Sequence, residues 1–177
     1  MEDRMIRVTA SFAFAFVMAL PPLVVEEPTD PVESHCVVVV IDQKKSGELT
    51  TTDPTCFGTE RLARLWSESG VALATTSDLG EDPVQALLTF NLGIHYDGFN
   101  GTGSSISIIG ASCTGGWWNT PLAWDNRISS SFHGCAALRH YDLANKGGSA
   151  QLTTGVGTIK NLSALNNRAE SVSYSAS

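Results

Sequence analysis

The sequence predicts a mainly-β protein: a sandwich of two repeated units over residues 88–177, preceded by a small disulfide-stapled α+β segment. Three observations predict it. Apolar residues make up 42% and charged residues only 16%, so a core is available but the surface must lean on Ser, Thr, Asn and Gly. That mix, with 16 glycines, favours turn-rich strands over helices. From about Leu88, short apolar runs alternate with clusters of Gly, Asn and Ser, the spacing of a sandwich or barrel. The same region repeats itself: His95-Tyr96-Asp97 returns as His140-Tyr141-Asp142, and in both copies an Asn, a Gly and a Ser follow at matching distances.

The elements follow in chain order. Arg4 and Arg7 precede an apolar stretch from Ala10 to about Leu20. It is too short to span a bilayer and fits the hydrophobic region of a secretory signal. Residues 1–25 are therefore expected to be a signal peptide and the protein to be secreted, with no membrane association after leader removal; an N-terminal membrane anchor is the competing reading. Export makes the four cysteines intelligible as two disulfides. Of the three possible pairings, sequence order and domain layout favour Cys36 with Cys56 and Cys113 with Cys135. Residues 26–87 are expected to form the small segment. It starts with an acidic, proline-containing linker (26–35). A β-branched strand from Cys36 follows, then a loop, then a helix from Gly58 to Ser69 with Leu62, Leu65 and Trp66 on one face. A short strand over 71–76 and a second linker complete it.

Within 88–177 each half runs from an aromatic-acidic-glycine hairpin through strands to a polar turn. The two turns, Asp125-Asn126-Arg127-Ile128-Ser129-Ser130 and Asn166-Asn167-Arg168-Ala169-Glu170-Ser171, lie 41 residues apart. These residues resemble the βγ-crystallin family, above all its microbial calcium-binding members. Each Greek-key motif of that family has an aromatic, a second aromatic five residues on, and a glycine two further. Tyr96 and Gly103 match in one half, Tyr141 and Gly148 in the other; Gly101 and Lys146 replace the second aromatic. The family's calcium signature, Asn/Asp-Asn/Asp-x-x-Ser/Thr-Ser, is complete at 125–130 and departs at Glu170 in 166–171. The resemblance covers roughly residues 90 to 175 and implies two Greek-key motifs in a βγ-crystallin-like sandwich.

The resemblance also implies Ca²⁺ as ligand, bound by oxygens alone. One site would combine the Arg127 carbonyl, the Ser129 hydroxyl and Asp142. The other would combine the Arg168 carbonyl, Glu170 and Asp97, with Asn126 and Asn167 as further ligands or turn-holders. Glu170 either tightens its site or misplaces the oxygen. The same turns also serve folding alone, since Asn, Asp and Ser bond their own backbone in turns. The overall layout is similar to that of secreted actinobacterial proteins, some of them peptidase inhibitors. This gives a second expectation, inhibition of a secreted protease, with the Thr114–Trp118 run beside Cys113 as the candidate loop.

Other classes are disfavoured. A net charge of −7 leaves no basic stripe for nucleic acid. No nucleophile elbow, phosphate-cradling glycine loop or paired helical carboxylates occur, so the chain does not read as an enzyme. His95 and His140, being repeated, read as strand residues rather than bases. The Cys and His spacings do not suit zinc. Trp117, Trp118 and Trp124 read as packing between the halves, or as an exposed recognition patch. Asn100 and Asn161 head glycosylation sequons that matter only in a eukaryotic host. A monomer is expected.

Overall fold

A computed structural model describes residues 33–67 and 90–176, which belong to one compact unit, Pro31–Ser177. The expected leader, the 71–76 strand and the second linker lie outside the described residues, as does all but the end of the first linker. The described chain is mainly β, with two sheets and two disulfides.

β1 (His35–Gln43) is the β-branched run. β2 (Leu49–Thr51) and β3 (Thr55–Phe57) pair in turn with its two ends, and Cys36 faces Cys56 across the β1–β3 ladder, where they form a disulfide. A helix, α1, covers 60–67. The expected face is not the one buried. Leu62 and Leu65 are about half exposed, whereas Ala63 is buried and packs with Trp66 and Phe57 on Val37 and Ile109. Ala63 and Trp66 are three residues apart and share a helical face as well as the leucines do. The sheet surface beneath decides which face is used.

The repeats supply the other eight strands. The first half gives β4 (Phe90–Tyr96), β5 (Ser105–Gly110), β6 (Thr114–Asn119) and β7 (Ser130–His133). The second gives β8 (Ala137–Leu143), β9 (Gly147–Thr154), β10 (Ile159–Asn161) and β11 (Ser171–Ser175). The seven-stranded sheet runs β10-β7-β4-β5-β1-β2 with β3 also on β1; the four-stranded sheet runs β6-β11-β8-β9. The third strand of each half therefore sits in the sheet of the other half: β10 beside β7, and β6 beside β11. Neither half can form its sheet alone.

β1 pairs in parallel with β5 over His35–Val39, so the N-terminal strands extend the first sheet rather than forming a body of their own. β1 and β5 are covered on both sides. Val38, Ile106 and Ile108 join the main core with Leu92, Trp118, Leu138, Val172 and Tyr174, while Val37 and Ile109 face α1. A strand with two buried faces reads as an unbroken apolar run, as Val37–Val40 and Ile106–Ile109 nearly do. The second disulfide, Cys113–Cys135, joins the approach to β6 to the link between β7 and β8.

Candidate functional site

The two polar turns lie against each other. Asn126 N–H donates to the Ala169 carbonyl at 3.3 Å, and Asn167 N–H donates to the Ile128 carbonyl at 3.0 Å. These reciprocal bonds relate the turns by an approximate two-fold. Each turn pivots on an asparagine in the left-handed region, Asn126 at φ 56° and Asn167 at φ 53°, where Asn is tolerated better than other side chains. Ile128 and Ala169, one step beyond the arginines, are fully buried and anchor the turns in the core.

Each turn holds the hairpin of its own half by the same set of bonds. Ser129 N–H donates to the Tyr96 carbonyl at 2.8 Å, and Glu170 N–H to the Tyr141 carbonyl at 2.9 Å. Arg127 pairs with Asp97 at 2.7 Å and Arg168 with Asp142 at 2.9 Å. Ser130 Oγ donates to the Gly98 carbonyl and accepts from Gly101 N–H; Ser171 Oγ does the same with Leu143 and Lys146. Arg127 also lies over the Trp124 ring, 5.0 Å from its centroid.

Each arginine side chain folds back on the carboxylate of its own hairpin, so that Asp97 meets the Arg127 turn and Asp142 the Arg168 turn, pairings that the expected ligand sets did not include. Ser129 Oγ lies 2.8 Å from both the Asp97 carbonyl and Asn167 Oδ1, so that one position does reach across to the other turn. Glu170 is turned aside: Oε2 accepts Ala144 N–H at 3.0 Å, at the tip of the hairpin.

Oxygen atoms are left over. Asp125 Oδ1 and Asn166 Oδ1, the two symmetric first positions of the turns, are buried without a hydrogen-bond partner, and so is Asp142 Oδ1. The carbonyls of Arg127 and Arg168 accept no hydrogen bond among the described residues. Buried acceptors are nearly always satisfied, so Asp125 Oδ1, Asn166 Oδ1 and Asp142 Oδ1 call for a donor or a cation. An all-oxygen set of this kind suits Ca²⁺ chemistry. Among the described residues no group of three or more His, Cys, Asp or Glu side chains is arranged to hold a metal, so any ion here would rest partly on carbonyl, carboxamide and hydroxyl oxygens.

Sequence reasoning left Asp125 and Asn166 out of the ligand set, although their place as first residues of the repeated signature was a usable signal. It also missed a pair of asparagine clamps. Asn161 Oδ1 accepts Asn100 N–H at 2.7 Å and its amide donates to Asn100 Oδ1 at 2.9 Å. Asn119 holds Asn145 in the same way, at 2.8 and 3.1 Å. Each clamp ties a hairpin tip of one half to the exchanged strand of the other.

The Thr114–Trp118 run is not a protruding loop. It forms most of β6, and Trp117 and Trp118 are buried there, as Trp124 is beneath its turn. The Trp117 ring is closed in by the 44–48 turn and by Lys146, whose ammonium lies 5.6 Å from its centroid. No exposed tryptophan patch exists among these three.

No protein family, curated protein or solved structure matches the chain.

Proposed function

We propose that the chain is a secreted calcium-binding module of two Greek-key units, similar to a βγ-crystallin domain, in which the metal stabilises the fold outside the cell. The observation that carries this reading is the symmetric pair of turns with partnerless buried oxygens at Asp125 and Asn166. The exchange of the third strand between halves supports the Greek-key reading, and the two disulfides suit an oxidising compartment. Asp125, Arg127 through its carbonyl, Ser129, Asn166, Asn167, Arg168 through its carbonyl and Asp142 are the residues that would hold Ca²⁺. The ion would supply positive charge to these carbonyl, carboxamide and carboxylate oxygens. Few of these donors carry charge, and both hairpin aspartates already face arginine, so affinity is expected between about micromolar and millimolar.

Ca²⁺ titrated into chelator-stripped protein, followed by calorimetry and by melting, tests the proposal. Binding to the native state alone raises stability by RT ln(1 + [L]/Kd), about 2.7 kcal/mol at one hundred times Kd. The expected result is heat of binding and a higher Tm, both lost in Asp125→Ala. If calcium well into the millimolar range gives neither heat nor shift, the turns serve folding only and the proposal fails.

A further inference from the structure

Among the described residues, no strand pairs with the outer side of β9 in the four-stranded sheet. β9 is the last strand of that sheet, and it is eight residues long, Gly147–Thr154, with no charged residue and no proline. The other described sheet edges are short or covered. β2 and β10 have three residues each, and β10 carries Lys160. β6 is closed by the 44–48 turn, where Trp117 N–H donates to the Gly47 carbonyl at 3.0 Å and the indole reaches the Ser46 carbonyl. Edges left without charge, proline, brevity or cover are templates for pairing.

The free stretch is also regular and held in place. The β8–β9 ladder is bulged only near Leu143; from Ala150 to Thr154 it pairs without interruption with Tyr141 back to Ala137. Gln151 Oε1 accepts the N–H groups of Ala164 and Leu165 at 2.9 and 3.2 Å, and Thr153 Oγ1 donates to the Leu138 carbonyl. The strand is therefore ordered before any partner arrives, which lowers the cost of association. On the outer face Leu152 is 52% exposed and stands opposite Arg139 in the ladder, in a shallow groove with Ala137, Thr154, Ser173 and Ser175.

We propose that β9 pairs antiparallel with β9 of a second copy, joining two four-stranded sheets into one of eight strands. Centred on Leu152, this register sets Leu152 opposite its own counterpart, Ala150 opposite Thr154 and Gln151 opposite Thr153. No charge meets a like charge on the new ladder. Arg139 is the charged residue lining the groove. The two copies of Arg139 would stand three strand spacings apart, about 14 Å, beyond the screening length of about 8 Å at physiological salt. The edge thus carries no charge that opposes pairing with its own copy. Such a dimer would depart from the monomer expected from the sequence.

Sedimentation equilibrium of the protein tests this across a concentration series up to about millimolar, where even a Kd of about 1 mM would show. The expected result is a reversible monomer–dimer equilibrium that persists in chelator, separating it from the calcium proposal. Leu152→Lys would set two ammonium groups opposite each other and weaken association at least tenfold. Thr154→Lys, also at an exposed edge position, would weaken it as well, and unchanged melting of either variant shows that the fold is intact. A protein that stays monomeric throughout overturns the proposal and leaves the edge to a different extended partner. A dimer that both lysine variants leave unchanged overturns it too.

Discussion

Five non-glycine residues in the described chain have positive φ, and four are asparagines: Asn100, Asn126, Asn145 and Asn167. The fifth is Lys146, at φ 61°, where the other half has Gly101 at φ 76°. Both equivalent positions are therefore left-handed, a region that disfavours bulky L-residues. At Gly101 a Cβ would also stand 2.6 Å from Ile159 Cδ1, so any side chain there would have to push that methyl aside as well as bear the left-handed backbone. Gly103 and Gly148 are required for a further reason: a Cβ on either would collide with the carboxylate of Asp97 or Asp142. Asn126 gives a clean test, because its side chain is exposed and its conformation is what matters. Asn126→Ala is expected to cost about 1–2 kcal/mol, the penalty for an ordinary L-residue in the left-handed region. Asn126→Gly is expected to stay near wild type. Urea unfolding of the two variants checks this, and equal losses would mean that the Asn126 side chain, not its φ, holds the turn.

At the scale of the element, the repeat made much of the molecule legible. Two copies of one pattern, with period-2 apolar runs between turn clusters, implied matched strands in two layers, and the spacing of the hairpins and turns located them. The cysteine order implied the two disulfides that form. What was not legible is non-local. Nothing in Cys36–Val40 says that its parallel partner is β5, some seventy residues on, because parallel pairing leaves no turn signature between the strands. The α1 face was misread for a similar reason: Leu62 and Leu65 are the larger side chains, but the surface on offer, Val37 and Ile109, was set by other strands. In the candidate site the residue types were legible but the arginine pairings were not, since sequence alone did not reveal that each arginine folds onto its own hairpin. The disulfides can be weighed at this scale too. Cys113 and Cys135 are 22 residues apart in sequence, and a loop of that size corresponds to about 3 kcal/mol of unfolded-state entropy. Replacing both with serine is expected to lower the unfolding free energy by about that amount. A loss under about 1 kcal/mol would mean that the sheets hold this junction without the covalent link.

The whole molecule is closed by a polar network between its two sheets. His95 on β4 and His140 on β8, equivalent in the repeat, are both fully buried. Ser131 on β7 bridges them, 2.7 Å from His95 Nδ1 and 2.9 Å from His140 Nε2, and Tyr174 on β11 lies 2.9 Å from His95 Nε2. The Trp118 ring on β6 stacks beside His95, and the two imidazoles meet edge to face at 5.4 Å. His133 on β7 is buried with no hydrogen-bond partner on either ring nitrogen. Burial is the main cause that holds all three rings neutral. It pushes His140 down to about 3 and His95 well below its ordinary value, and the neighbouring groups that act on them are cationic when charged: His140 and His133 on His95, His133 on His140, and Lys160 on His133. In the unfolded chain each imidazole would take up a proton near pH 6.5. Below that value the unfolded state binds more protons than the folded one, so stability is fully present above about 6.5 and falls as the pH drops, down to about 3 for His140. Each buried imidazole contributes up to about 1.4 kcal/mol per pH unit, so His95 and His140 together give a slope of about 2–3 kcal/mol per unit. A domain of ordinary stability, about 5–15 kcal/mol, then opens within a few units of acidification. Urea unfolding at pH 7, 6 and 5 should show this decline, and His140→Gln should cut the slope by about half while keeping a polar group near Ser131. A wild-type stability that is flat from pH 7 to 5 would mean that the folded sheets admit the protons and that the histidine network does not set the acid limit of the fold.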